Sequence, residues 1–177
     1  MRASLTLHRP PSSLSLVPSP DIFATQKAER RGALQQAHAA LMQVLDHAQD
    51  DAYSRPLAES EWRARDLLVH LATAEAGLGA LARRISAGEG GLPENYDRDR
   101  WNAGQVRRRG ESPVAELRGE LERAHAEMLA FLEGLEPAAA QHRGRLPMGE
   151  EGSVFDVLDL VARHKIEHTA QLEAALG

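Results

Sequence analysis

One stretch constrains this chain more than any other: the C-terminal GSVFDVLDLVARHKIEHTAQLEAALG, which reads as a helix from Ser153 to Leu176. Its inward stripe runs Val154, Val157, Val161, then His164 and His168, and resumes at Leu172 and Ala175. Residues four apart stand one turn above each other on a helix face, so two imidazoles occupy positions where Leu or Val is expected. At that spacing two ring nitrogens can reach one metal ion. Ser153 with Asp156 three residues later has the form of a capping box and marks the helix start. A third inward histidine from another helix would complete a site, and His70 is the candidate.

Three further stretches carry helical periodicity. From about Asp21 to Asp50 the stripe is Leu34, His38, Leu41, Leu45 and Ala48. After the break at Pro56, a second helix runs from Ala64 to Ile85 with Leu67, His70, Leu71, Ala74, Leu78, Leu81 and Ile85 inward. Gly88, Gly90, Gly91 and Pro93 end it. The connection over 86–111 is too long for a helical hairpin loop and holds a short helix of its own in DRDRWNAGQVRRRG. The third long helix is announced by Ser112 at the N-cap and Pro113 at the first helical position. It runs to about Leu135 with Val114, Leu117, Leu121, Ala124, Met128, Phe131 and Leu135 at coiled-coil spacing, and Pro137 closes it. A polar, Gly-containing connection over 138–152 leads to the last helix. Strand signal is almost absent, so the expectation is an all-α four-helix bundle over 21–177. Residues 1–20, rich in Pro and Ser, read as an extended N-terminal arm.

The histidines bear on topology. At ~1.5 Å per residue, His70 lies roughly 10 Å from the start of the second helix, and His168 and His164 lie roughly 12 and 18 Å from the end of the fourth. These levels meet if the two helices run in opposite directions. The long 86–111 connection suits two successive helices running the same way. The predicted order is therefore up-down-down-up, with the crossover between helices two and three.

Charge and composition narrow the function. The formal net charge of -5 provides no uniform basic surface, and Arg107, Arg108 and Arg109 form too short a run to change that, so nucleic-acid binding is not expected. With no cysteine, a metal must be held by His and carboxylates. No apolar run approaches the ~20 residues needed to cross a bilayer, and MRASLTLHRPPSSLSLVPSP is broken by His8, Arg9, Pro10 and Pro11. The expectation is a cytoplasmic protein without membrane partners. His38 and His125 read first as hydrogen-bonded core residues, His8, His47 and His142 as peripheral, and Trp62 as packing. Three neutral imidazoles gathered in one core are costly without a metal or full hydrogen bonding. Three protein ligands leave open positions, the pattern of a reactive site rather than of a closed structural one.

The segment Glu61-Trp62-Arg63-Ala64-Arg65-Asp66-Leu67-Leu68-Val69-His70 and the run His164-Lys165-Ile166-Glu167-His168-Thr169-Ala170-Gln171-Leu172 together resemble the DinB-like superfamily of four-helix-bundle metalloproteins. That superfamily includes mycothiol-dependent maleylpyruvate isomerases and thiol S-transferases. Asp99-Arg100-Trp101-Asn102 is similar to the crossover of its isomerase-like branch. The resemblance covers about 24–177 and implies an up-down-down-up bundle, a divalent metal on His70, His164 and His168, and a homodimer. Both members of the pair are His here, where the isomerase itself has a Glu at one position, so the wider transferase branch fits better.

The expected function is thus a metal-dependent thiol S-transferase. Zn or Ni, or alternatively Fe, would sit on the three histidines, with a small-molecule substrate and a low-molecular-weight thiol of the bacillithiol or mycothiol type. Trp101, Asn102, Arg107 and Arg108, on the crossover, are the candidates for holding a carboxylated thiol. Two alternatives stay open: a metal-dependent hydrolase, and a non-catalytic stress or interaction protein braced by its metal.

Overall fold

The computed structural model describes residues 19–58 and 60–177. The arm expected over residues 1–20 therefore lies almost wholly outside them, and Pro20 already opens the first helix. Its missing N–H and fixed φ suit a first helical turn, and α1 runs Pro20–His47. A single 3-10 stretch, Asp50–Ser54, leads into a turn closed by Leu57 N–H donating to Trp62 at 2.8 Å and Ala64 N–H to Arg55 at 2.9 Å. Then follow α2 (Ala64–Ser86), α3 (Arg98–Arg109), α4 (Val114–Glu133), the one-turn α5 (Pro137–Ala140) and α6 (Val154–Leu176).

The starts of α2 and α6 share one feature, a carboxylate at the third helical position that accepts from the N-cap backbone N–H. Ser153 and Asp156 form the expected capping box on α6. On α2, Asp66 accepts from the Arg63 backbone at 2.9 Å and from its guanidinium at 3.0 Å, while Arg63 also reaches Glu111 at 3.1 Å and so ties α2 to the α3–α4 turn. Burial alone would raise the Asp66 carboxyl; these bonds hold it below the usual carboxylate range.

Side-chain pairs give the directions of the four long helices. Phe23 stacks on Phe155 with ring centroids 5.7 Å apart, and Arg30 meets Asp159 at 2.8 Å, so α1 and α6 ascend together. Arg31, in the first half of α1, pairs with Glu133 at the end of α4, and Asp46, at the end of α1, pairs with Arg118 early in α4, so α4 descends. Glu75 faces His125 and Arg83 lies over Phe131, so α2 descends beside α4. Between α2 and α6 the pairing is reversed: His70 meets His164 and His168, while Leu81, further along α2, shares a wall with Leu160, earlier on α6.

A polar layer divides the apolar core. On one side lies a cluster including Phe23, Leu34, Ile85, Met128 and Val157; on the other, a cluster including Leu41, Leu68, Leu117, Leu121 and Leu172. Between them each long helix contributes one polar side chain: His38, Glu75, His125 and Lys165. Lys165 Nζ donates to Glu75 Oε1 at 2.7 Å with both side chains almost fully buried. The His38 and His125 rings stack at 3.9 Å.

Three local expectations need correction. Pro113 stands at the N-cap of α4 rather than one residue inside, so Ser112 is not the cap. Gly134 ends α4, and Pro137 opens α5 instead of closing the long helix. The 138–152 connection is not plain loop: β1 (Arg143–Arg145) pairs antiparallel with β2 (Glu151–Ser153), and Leu92 N–H donates to Arg145 O at 2.8 Å, laying the chain after α2 against the hairpin. That approach requires glycine, because a Cβ on Gly144 would stand 2.5 Å from Gly91 N.

Candidate metal centre

His70 is on the inner face of α2, six residues past its capped start, and His164 and His168 are on the α6 face turned toward it. One ligand nitrogen from each ring lies within 4.8 Å of the other two. His70 Nε2 and His164 Nε2 are 2.9 Å apart, and the three ring pairs have centroids 4.4 to 5.0 Å apart, each pair steeply inclined. A tetrahedral ion with bonds of about 2.1 Å separates its ligand nitrogens by roughly 3.4 Å, so shifts of about an ångström suffice to seat one. A purely imidazole donor set suits Zn, Ni or Fe. The residues present therefore fit a divalent ion.

The protonation states agree with that fit. Burial, then the neighbouring His168 and Arg98, lowers His70 to about 4. Burial, then His168 and His70, lowers His164 to about 3. Both rings are neutral at neutral pH; one Nε2–H donates to the lone pair of the other, and an arriving ion takes the place of that hydrogen. His168 Nδ1 donates to Gln171 Oε1 at 2.7 Å, which leaves Nε2 as the nitrogen with a lone pair for an ion. His70 Nδ1 is buried without a hydrogen-bond partner. The Asn102 side chain stands close enough to favour the charged form of that ring, and Trp62 covers it with centroids 5.4 Å apart.

Beside the rings opens a cavity of about 210 Å³. His70 and His164 form part of its wall, with Leu78, Leu81, Leu160 and Met148 among the apolar remainder. Trp101 and Asn102 line it. Arg107 and Arg108 do not; the cation on this wall is Arg98, with Tyr96 nearby. Helical phase turns Arg107 to the side of α3 opposite Arg98, whereas Arg108, seven residues after Trp101, shares its face but stands about two turns further along the helix. The same phase, applied to α3 with Trp101 facing inward, would have found Arg98. Pro147 and Met148 come from the turn of the hairpin and had no signal in the sequence.

Residues 33–172 match the sequence profile of the DinB superfamily. The chain belongs to that superfamily. Among curated proteins none matches it. Among solved structures, the mycothiol-dependent maleylpyruvate isomerase is similar with a TM-score of 0.74 at 16% identity, over 82% of this chain and 60% of that one. The chain thus spans about 60% of the isomerase's length. YfiT from Bacillus subtilis, described as a probable metal-dependent hydrolase with an unusual four-helix bundle topology, is similar with a TM-score of 0.71 at 19% identity, over 95% of this chain and 91% of that one. At these identities the likeness establishes the DinB fold; the chemistry has to be argued from the site.

Proposed function

We propose that this DinB-superfamily protein is a divalent-metal-dependent thiol S-transferase, joining a low-molecular-weight thiol of the bacillithiol or mycothiol type to a small electrophile. The observation that carries the reading is the convergence of three imidazoles at the wall of a mostly apolar cavity. His70, His164 and His168 would hold the ion, and three protein ligands leave coordination open. When bound, such an ion supplies Lewis acidity and lowers the pKa of a thiol or water that completes its coordination. The apolar wall excludes water and seats the body of the electrophile, while Arg98 offers a charge to an anionic group on thiol or substrate. Gln171 would hold the His168 ring in orientation through its hydrogen bond to Nδ1. A homodimer in the cytoplasm belongs to the same reading, and light scattering of the purified protein tests the dimer.

A metal-dependent hydrolase is the second reading, supported by the match to YfiT over nearly the whole length of both chains. One experiment separates the two. A panel of electrophiles is offered with bacillithiol, mycothiol, glutathione or no thiol, with metal present and after chelation. The transferase reading expects turnover that needs both thiol and metal and falls sharply in His70→Ala. Turnover without thiol assigns a hydrolase, and inactivity across the panel in fully metallated protein favours a binding role.

A further inference from the structure

We infer that the buried Glu75–Lys165 ion pair is a positioning element for the three histidines: it sets the rotation and height of α6 against α2 so that the rings converge before any ion arrives. The inference rests on the metal-site reading above and extends it to residues that touch no ligand.

All three histidines come from α2 and α6, and so does the ion pair. His70 and Glu75 are five residues apart on α2, about 7.5 Å along its axis. His164, Lys165 and His168 lie within little more than one turn of α6. The two helices thus touch at two polar points, His70 Nε2 to His164 Nε2 at 2.9 Å and Lys165 Nζ to Glu75 Oε1 at 2.7 Å. Apolar packing on either side holds the two helices together without demanding one exact setting, whereas two directional polar contacts select one rotation and one height. Lys165 points into the bundle centre, with its side chain 2% exposed, which turns its neighbours His164 and His168 onto the flank facing α2 and the cavity. Neither charge is needed for packing, since the layers above and below are Leu, Val, Ala, Ile, Met and Phe. The site is further enclosed by α1 and α4: His38 Nδ1 lies 3.4 Å from Lys165 Nζ, and His125 Nδ1 lies 3.8 Å from Glu75 Oε1. Oε2 of Glu75 and Nδ1 of His125 are buried with no hydrogen-bond partner. Apolar side chains of equal volume often match or exceed a buried ion pair in stability, so the retention of this pair points to a role besides stability.

The test is the double variant E75L/K165M, which removes both charges together and strands neither. Three quantities are compared with the unaltered protein: the urea midpoint in chelator, the Co2+ dissociation constant with its visible absorption bands, and the histidine ring 15N–1H spectrum of the metal-free protein. The expected result is a urea midpoint at or above that of the unaltered chain, a dissociation constant raised tenfold or more, altered Co2+ bands, and loss of the hydrogen-bonded ring signal from His70 and His164. Unchanged Co2+ affinity and bands in a folded double variant would overturn the inference. Failure of the double variant to fold would overturn it also, by making the pair a stability element. If the unaltered protein takes up no Co2+, the metal-site reading fails by itself, and the ring spectrum alone decides whether the pair positions the histidines.

Discussion

His168 depends on an exposed neighbour for its tautomer, and this makes the residue scale testable without disturbing the core. Gln171 is exposed and accepts from His168 Nδ1 at 2.7 Å. Losing a partner of this kind typically lowers metal affinity about 10- to 100-fold. Gln171→Ala is therefore expected to weaken Zn2+ binding by about tenfold with the urea midpoint of the metal-free protein unchanged, while His168→Ala abolishes stoichiometric binding. Chelator competition measures both, and equal affinity in Gln171→Ala would show that the hydrogen bond does not orient the ring. The triad itself was legible in the sequence because His164 and His168 interrupt an otherwise apolar stripe. Glu75 and Lys165 were not. Their spacing was inward, Glu75 four after Leu71 and Lys165 four after Val161, but a charged residue reads as solvent-facing until a partner from another helix is known.

Among the elements, the helices were legible and the hairpin was not. Periodicity over twenty or more residues, with caps at Asp66 and Asp156, leaves little freedom in placing α2 and α6. Strands of three residues, Arg-Gly-Arg and Glu-Gly-Ser, show no alternation to read, and their pairing depends on a backbone approach from the distant Gly91. That approach gives a second prediction. In Gly144→Ala the new methyl would meet Gly91 backbone, and overpacking of this kind costs about 1–3 kcal/mol. Urea denaturation should register that loss while Co2+ affinity holds, because the hairpin supplies cavity wall but none of the three histidines. Parallel loss of Co2+ binding would mean that the connections also support the ligand geometry.

Acid is expected to unfold the whole molecule by way of its buried rings. Burial, then Lys165 and His125, lowers His38 to about 4, and His70 and His164 lie at about 4 and about 3. In the unfolded chain a histidine titrates near 6.5. Between these values the unfolded state binds more protons, so stability is fully present above about pH 6.5 and is lost as pH falls toward about 4. The urea midpoint of the metal-free protein should fall steadily from pH 7 to pH 4.5; a flat profile would show that the rings are not held neutral. At pH 7, divalent ion at 100 times its dissociation constant should add about 2.7 kcal/mol. The histidines stand on α2 and α6, whereas much of the cavity wall comes from segments that merely join the long helices: Tyr96, Arg98, Trp101 and Asn102 from the crossover, Pro147 and Met148 from the hairpin turn. Under the proposed function, metal binding and selectivity would thus be written in separately editable parts of the chain. Exchanging the crossover or the turn for another of similar length would reshape the cavity and leave intact the helical frame that brings the three histidines together.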